Sequence, residues 1–183
     1  MNRIQWMPGG QTRCVRGLRR LAMLLVLLPA LAASGGLPSI AVLDFELIDE
    51  QQELAPAKAE YGWLDGLTEQ VRTQFDAKGL YRTVDLTPAR PMIEKFQARQ
   101  NLRECNGCEL DIGRALNADR VLLGWVQKVS NLILNINIRI EDVSTGRVVL
   151  QKSVDIRGNT EDSWRRGVDT LVRDMLDRGQ VGR

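Results

Sequence analysis

The chain has 183 residues, with 25 Lys and Arg, 23 Asp and Glu, and no His. Without His, Ser-His-Asp and Cys-His catalysis are ruled out, and so are His-ligated zinc and copper sites. Composition is otherwise that of one globular domain, with no low-complexity tract and no clear repeat.

Residues 1–33 read as a leader rather than as part of a fold. Arg3, Arg13, Arg16, Arg19 and Arg20 come with no acid. An apolar run from Leu21 to Leu28, Pro29 and the small residues around Ala30–Ala33 follow. These are the three parts of a secretory signal peptide, expected to be cleaved. The apolar run falls short of the roughly 20 residues of a membrane-spanning helix. Leu31-Ala32-Ala33-Ser34 stands where a lipoprotein would carry its Cys, so no lipid anchor is expected. The leader takes five Arg and no acid, so 20 basic residues remain against 23 acidic ones, a net charge of −3. The remainder lacks the basic bias of nucleic-acid binders. Export predicts a periplasmic address, one α/β domain over 37–178, a leader strand and polar loop within 34–60, and a disordered tail at 179–183.

Taken in chain order, 39–49 reads as a buried strand and 50–60 as a polar loop. Leu64, Leu67, Val71 and Phe75 fall at helical spacing and predict a helix over 61–78, ended by Gly79. A short strand at 80–86 follows, then a helix over 90–101 entered through Pro88 and Pro91. Residues 108–118 make a third helix with Leu110, Ile112 and Leu116 inward. Residues 119–129 form a strand. Over 131–142, Leu132, Leu134, Ile136, Ile138 and Ile140 alternate with Asn131, Ile133, Asn135, Asn137, Arg139 and Glu141. Such alternation predicts a strand with one buried face. A hairpin turn with Gly146 leads to a strand at 148–158. Trp164, Val168, Leu171, Val172, Met175 and Leu176 stripe a last helix over 161–177, capped by Asn159 or Thr160. The order β-α-β-α-α-β-β-β-α predicts an α/β (α+β) fold. Its mixed sheet has about five strands and ends in an antiparallel meander, with helices packed on it.

The frame "IAVLDFELID", a Cys pair running into "GRALNADRVLLGWV", and "EDVSTGRVV" resembles a known α/β domain. It is shared by the curli-secretion channel subunit and the N-terminal domain of the Tol-system propeller protein. Ala118, Asp119, Gly124, Asp142, Thr145 and Gly146 carry the pattern. "GWVQKVSNLILNINIRIEDVSTGRVV" and "SVDIRGNTEDSWRRG" resemble more closely an uncharacterised proteobacterial periplasmic family, domain of unknown function 3280. The resemblance implies a fold and a periplasmic address but no established activity. Some relatives lie near genes for quinoprotein alcohol dehydrogenases. The chain lacks the membrane-crossing hairpins and the lipid-bearing Cys of the larger relatives, so a curli-type pore is not expected.

Three places hold candidate function. Cys105 and Cys108 remain after the leader, and an even pair in an exported protein is by default a disulfide. Glu109 follows the pair where a c-type haem site needs His. Zinc would have to recruit Glu104, Glu109 and Asp111 as ligands. A redox role is weakened by the flanking Glu104 and Glu109, which raise thiol pKa values. The second place is the polar strand face of Asn135, Asn137 and Arg139, with Gln127 and Lys128 nearby. Asn is unfavourable in strands, so the pair suggests a partner-binding surface, set against an ordinary solvated face. The third is the turn at Arg157–Asn159. No carboxylate pair has a spacing that singles out acid–base catalysis. The expectation is a non-enzymatic accessory domain that binds a periplasmic or envelope protein. It needs no cofactor or metal, binds no nucleic acid and has no stable membrane span once the leader is cleaved. The alternatives are a thiol-redox accessory using the Cys pair and a small-ligand carrier for a quinoprotein dehydrogenase system.

Overall fold

The fold was obtained as a computed structural model, which describes residues 36–50 and 58–179. The leader and the residues 180–183 of the expected tail lie outside the described residues. No helix among the described residues is long and apolar enough to cross a membrane.

The expected mixed α/β fold is present. Its elements are β1 (Ser39–Val42), β2 (Glu46–Asp49), α1 (Lys58–Ala77), β3 (Arg82–Thr83), α2 (Arg90–Gln97), α3 (Cys108–Ala115), β4 (Arg120–Lys128), β5 (Ile133–Asp142), β6 (Val148–Arg157) and α4 (Glu161–Asp177). Sheet order is β3-β1-β4-β5-β6, with β2 also beside β4. β1 pairs parallel with β3 and β4, and β2 pairs parallel with β4. β4, β5 and β6 form the antiparallel meander.

The strand expected at 39–49 is two strands, so the sheet has six. Val42 pairs with Leu122 and Glu46 with Trp125, so three residues on one side oppose two on the other. This is a β-bulge, and it shifts the alternation by one position. Ile40 and Val42 face one core and Ala41 and Leu43 the other; beyond the break Phe45 rejoins the first. The Thr68 hydroxyl of α1 accepts the Phe45 N–H at 3.0 Å, which satisfies the donor freed by the bulge. The Phe45 ring lies over Gly124, where a Cβ would stand 2.3 Å from it.

Two apolar layers sandwich the sheet. α1 and α4 cover one face, with Leu67, Val71, Phe75, Trp164, Val168 and Leu171 against Ile136, Ile138 and Ile140. α2, α3 and their connections cover part of the other, through Ile93, Leu102, Ile112 and Val143 against Ala41, Leu43, Val121 and Leu123. Gly167 lets α4 approach Ile136 and Ile156, since a Cβ there would lie 2.6 Å from Ile136. Thr160, not Asn159, caps α4, in a reciprocal capping box with Ser163.

Several expectations shorten or move. The strand expected at 80–86 is only Arg82–Thr83, because Leu80 and Tyr81 turn into the core behind Gly79 (φ 63°). The helix expected at 90–101 ends at Gln97 and is bracketed by 3-10 turns at Thr87–Ala89 and Leu102–Glu104. Leu132 precedes β5 and is 72% exposed, so the inward stripe starts at Leu134. Leu110 and Leu116 are only half-buried, and Leu176 is exposed.

The positions that carry the family pattern have structural reasons. Asp119, just before β4, accepts hydrogen bonds from the Ser39 N–H and hydroxyl, both at 2.7 Å, which ties the starts of β1 and β4 together. Asp142 ends β5 and holds the hairpin turn. Its carboxylate accepts from the Ser144 hydroxyl at 2.6 Å, the Thr145 N–H at 2.8 Å and the Thr145 hydroxyl at 2.9 Å. Gly146 takes φ 68° to close that turn.

Candidate functional site

Register assigns each candidate residue to a face. Gln127 pairs with Asn135, Trp125 with Asn137 and Leu123 with Arg139. On the other side Asn135 pairs with Asp155, Asn137 with Ser153 and Arg139 with Gln151. These residues share the face that α2 and α3 cover only at its β1 end. Among the described residues no helix packs over the remainder. Trp125, Gln127, Asn135, Asn137 and Arg139 are half-buried there, and Gln151, Ser153 and Asp155 are exposed. The face is internally bonded. The Asn135 amide donates to Asp155, the Asn137 amide to the Asn135 carbonyl at 3.3 Å, and Gln127 to Glu50. Exposed Arg157 stands at its end, opposite Ile133.

Two expected members are elsewhere. Lys128 pairs with Leu134, so its side chain lies on the opposite, apolar face, where it is 7% exposed. Side chains on adjacent strand residues alternate, so Gln127 and Lys128 cannot share a face. Lys128 Nζ meets Glu60 at 2.9 Å and Asp49 at 3.2 Å. Burial pulls its pKa down, but the hydrogen bonds and charges of Glu60 and Asp49 outweigh that and leave it above the ordinary lysine value. Asn159 joins the same network: its amide donates to Glu60, and its carbonyl accepts the Trp164 indole N–H at 3.0 Å. This group closes one end of the core, where Trp63 and Trp164 meet edge to face at 5.4 Å. It is structural, not part of the polar face.

The Cys pair borders the open face. Glu46 on β2 accepts the Leu102 N–H at 3.0 Å and lies 3.8 Å from Arg103, which anchors the 3-10 turn before Cys105. Burial holds the Glu46 carboxyl above its usual value despite those donors. Arg103 lies 5.8 Å over the Trp125 ring, a cation–π distance. Cys105 and Cys108 are joined as a disulfide, and Cys108 is the first residue of α3 behind Gly107 (φ 102°). A pocket of about 480 Å³ opens beside the loop, walled by Arg103, Cys105, Glu109, Arg139, Glu141 and Val148 among others. Arg139 Nε pairs with Glu141 at 2.6 Å. Glu109 is only 5% exposed, and one of its carboxylate oxygens has no hydrogen-bond partner. Burial pushes its pKa up, and the Glu141 charge adds to that.

A family model described as "Protein of unknown function (DUF2380)", with the short name DUF3280, matches residues 38–176. The chain belongs to this family. The match spans the described domain from β1 to one residue short of the end of α4. No curated protein matches the sequence. Among solved structures, the LpoB C-terminal domain from Salmonella enterica is similar at 14% identity and a TM-score of 0.50, over 67% of this chain and 84% of that one. Lipoprotein GNA1162 from Neisseria meningitidis aligns at 17% identity and a TM-score of 0.49, over 77% and 95%. The PelC dodecamer from Paraburkholderia phytofirmans aligns at 14% identity and a TM-score of 0.49, over 81% and 90%. At such identity the LpoB likeness speaks for the fold alone.

Sequence reasoning missed Glu46, Trp125's link to Arg103, and the buried acids Glu60 and Glu109. Strand parity alone would have placed Lys128 correctly. Nothing in the spacing of Glu60 or Glu109 marks them as buried; Glu60, for one, meets its cation Lys128 68 positions away.

Proposed function

We propose that this family member is an exported, non-enzymatic docking domain that binds another envelope protein through the half of its sheet that no described helix covers. The observation that supports it is one contiguous face: half-buried Trp125 beside Gln127, Asn135 and Asn137, bordered by exposed Ser153 and Asp155. Trp and Arg are the residues that most often anchor interfaces, and Arg103 braces Trp125 from the flank. The two strand asparagines lie on this same face, bonded to Asp155 and to the Asn135 carbonyl, although strands disfavour asparagine. The leader pattern supports a periplasmic site of action.

The test is capture of partner by the purified domain and two variants. Asn137→Arg combined with Ser153→Arg puts bulk and charge on the face. Asp65→Arg alters the exposed side of α1. The face variant is expected to lose capture with an unchanged melting temperature, and the α1 variant to keep it. Equal capture by both would overturn the reading.

A further inference from the structure

We infer that the free edge of β6 takes up an extended, acidic segment of another protein, which adds a strand to the sheet and sets an apolar side chain into the pocket between β6 and α4. The inference goes beyond the docking reading: it concerns backbone groups at the edge of the sheet, and its test uses a synthetic peptide.

β6 ends the strand order, and among the described residues no strand pairs with its outer side. From Leu150 to Arg157 its pairing with β5 is regular. In an antiparallel pair the residues that exchange hydrogen bonds alternate along each strand. The Gly158 N–H donates to the Leu132 carbonyl at 3.2 Å, while the Ile133 carbonyl turns the other way and accepts the Val129 N–H at 3.1 Å. In this phase Leu150, Lys152, Val154 and Ile156 bond β5. The N–H and C=O groups of Gln151, Ser153, Asp155 and Arg157 point outward, a ready ladder for an added strand.

Side chains select the segment. Val154 and Ile156 turn towards α4 and line a pocket of about 310 Å³ with Gly167, Thr170 and Arg166. Alternate residues of an added strand face α4, and one of them enters this pocket. Two bases and one acid stand around it. Arg157 is exposed and has no ion-pair partner among the described residues. Arg166 lies 3.9 Å from Asp162, with side chains 70% and 86% exposed, a contact that solvent screens. Asp155 accepts the Asn135 amide. The excess of base favours acidic residues on either side of the apolar one. Lys152 closes the groove at its other end: its side chain, 9% exposed, turns towards α4 and meets Asp174 at 2.5 Å. Such an inward charge on an edge strand opposes pairing beside it, so the segment lies along Ser153–Arg157. A second copy of this chain fits poorly. Two-fold pairing centred on Ser153 or Val154 sets each Lys152 beside the other copy's pocket, and centring on Asp155 opposes two carboxylates.

The experiment follows amide hydrogen exchange of the full protein with a blocked peptide of alternating Val and Glu, and with a Val and Lys control. At a Glu peptide concentration about ten times its Kd, exchange at Ser153, Asp155 and Arg157 should slow about tenfold. The Lys peptide should leave it unchanged. Ser153→Pro removes one outward N–H and no bond to β5, a place where an edge strand tolerates proline, and should weaken the Glu peptide about tenfold at a nearly unchanged melting temperature. Arg157→Glu should abolish the preference for the Glu peptide. Equal protection by both peptides, protection by neither, or protection that rises with protein concentration alone overturns the inference.

Discussion

Replacing Asp142 by Asn tests how the β5–β6 hairpin is held. The Asp142 carboxyl is lowered from 3.8 to about 2. The Ser144 hydroxyl is the main cause, the Thr145 N–H and hydroxyl add to it against burial, and the Arg120 charge contributes last. The side chain is 17% exposed, so solvent screens the interaction only in part. A shift of nearly two units, at about 1.36 kcal/mol each, corresponds to about 2 kcal/mol. The native pKa lies below the unfolded one. The contribution is therefore complete above pH 3.8 and is lost as pH falls through about 2. Urea unfolding of both proteins across this range should show a gap of about 2 kcal/mol at neutral pH. It should close in acid, where the wild-type group is itself neutral. A gap of undiminished size at the acid end would refute the electrostatic reasoning. It would mean that Asn damages the turn by shape.

Three other outcomes follow from the geometry. Lys128→Met leaves Glu60 and Asp49 buried without their cation and should cost about 3–5 kcal/mol in urea unfolding, and Glu60→Gln in the same chain should recover part of it. Glu109→Gln should raise the melting temperature at neutral pH. The raised native pKa means the buried charge costs stability once pH passes above 4.5, so the gain over wild type should shrink on acidification towards that value. Gly124→Ala forces a Cβ into the Phe45 ring and should cost about 1–3 kcal/mol by chemical denaturation, with Phe45→Leu relieving the clash.

Much of the fold was legible because its patterns are local. β5 shows its buried face through the period of Leu134, Ile136, Ile138 and Ile140, and α4 shows its own through Trp164, Val168 and Leu171. The break between β1 and β2 was not legible. Ile40 to Leu43 are buried on both faces, so a one-residue slip leaves no mark in the hydropathy pattern. The candidate face was half legible. Asn135, Asn137 and Arg139 follow from alternation within one strand, and Gln127 joins them through register. Lys128 reads from sequence as a member of that face, and Asn159 as part of a separate turn with Arg157. Their burial comes from Glu60, Asp49 and Trp164, which lie on other elements or one helical turn away.

The central claim is that the sheet face around Asn137, which no described helix covers, meets a partner protein. A photo-crosslinking residue placed at Asn137, and separately at Asp65 on α1, tests it in the intact cell envelope. The account predicts one discrete protein adduct from position 137 and none from position 65. An adduct from position 65 with none from position 137 would contradict it.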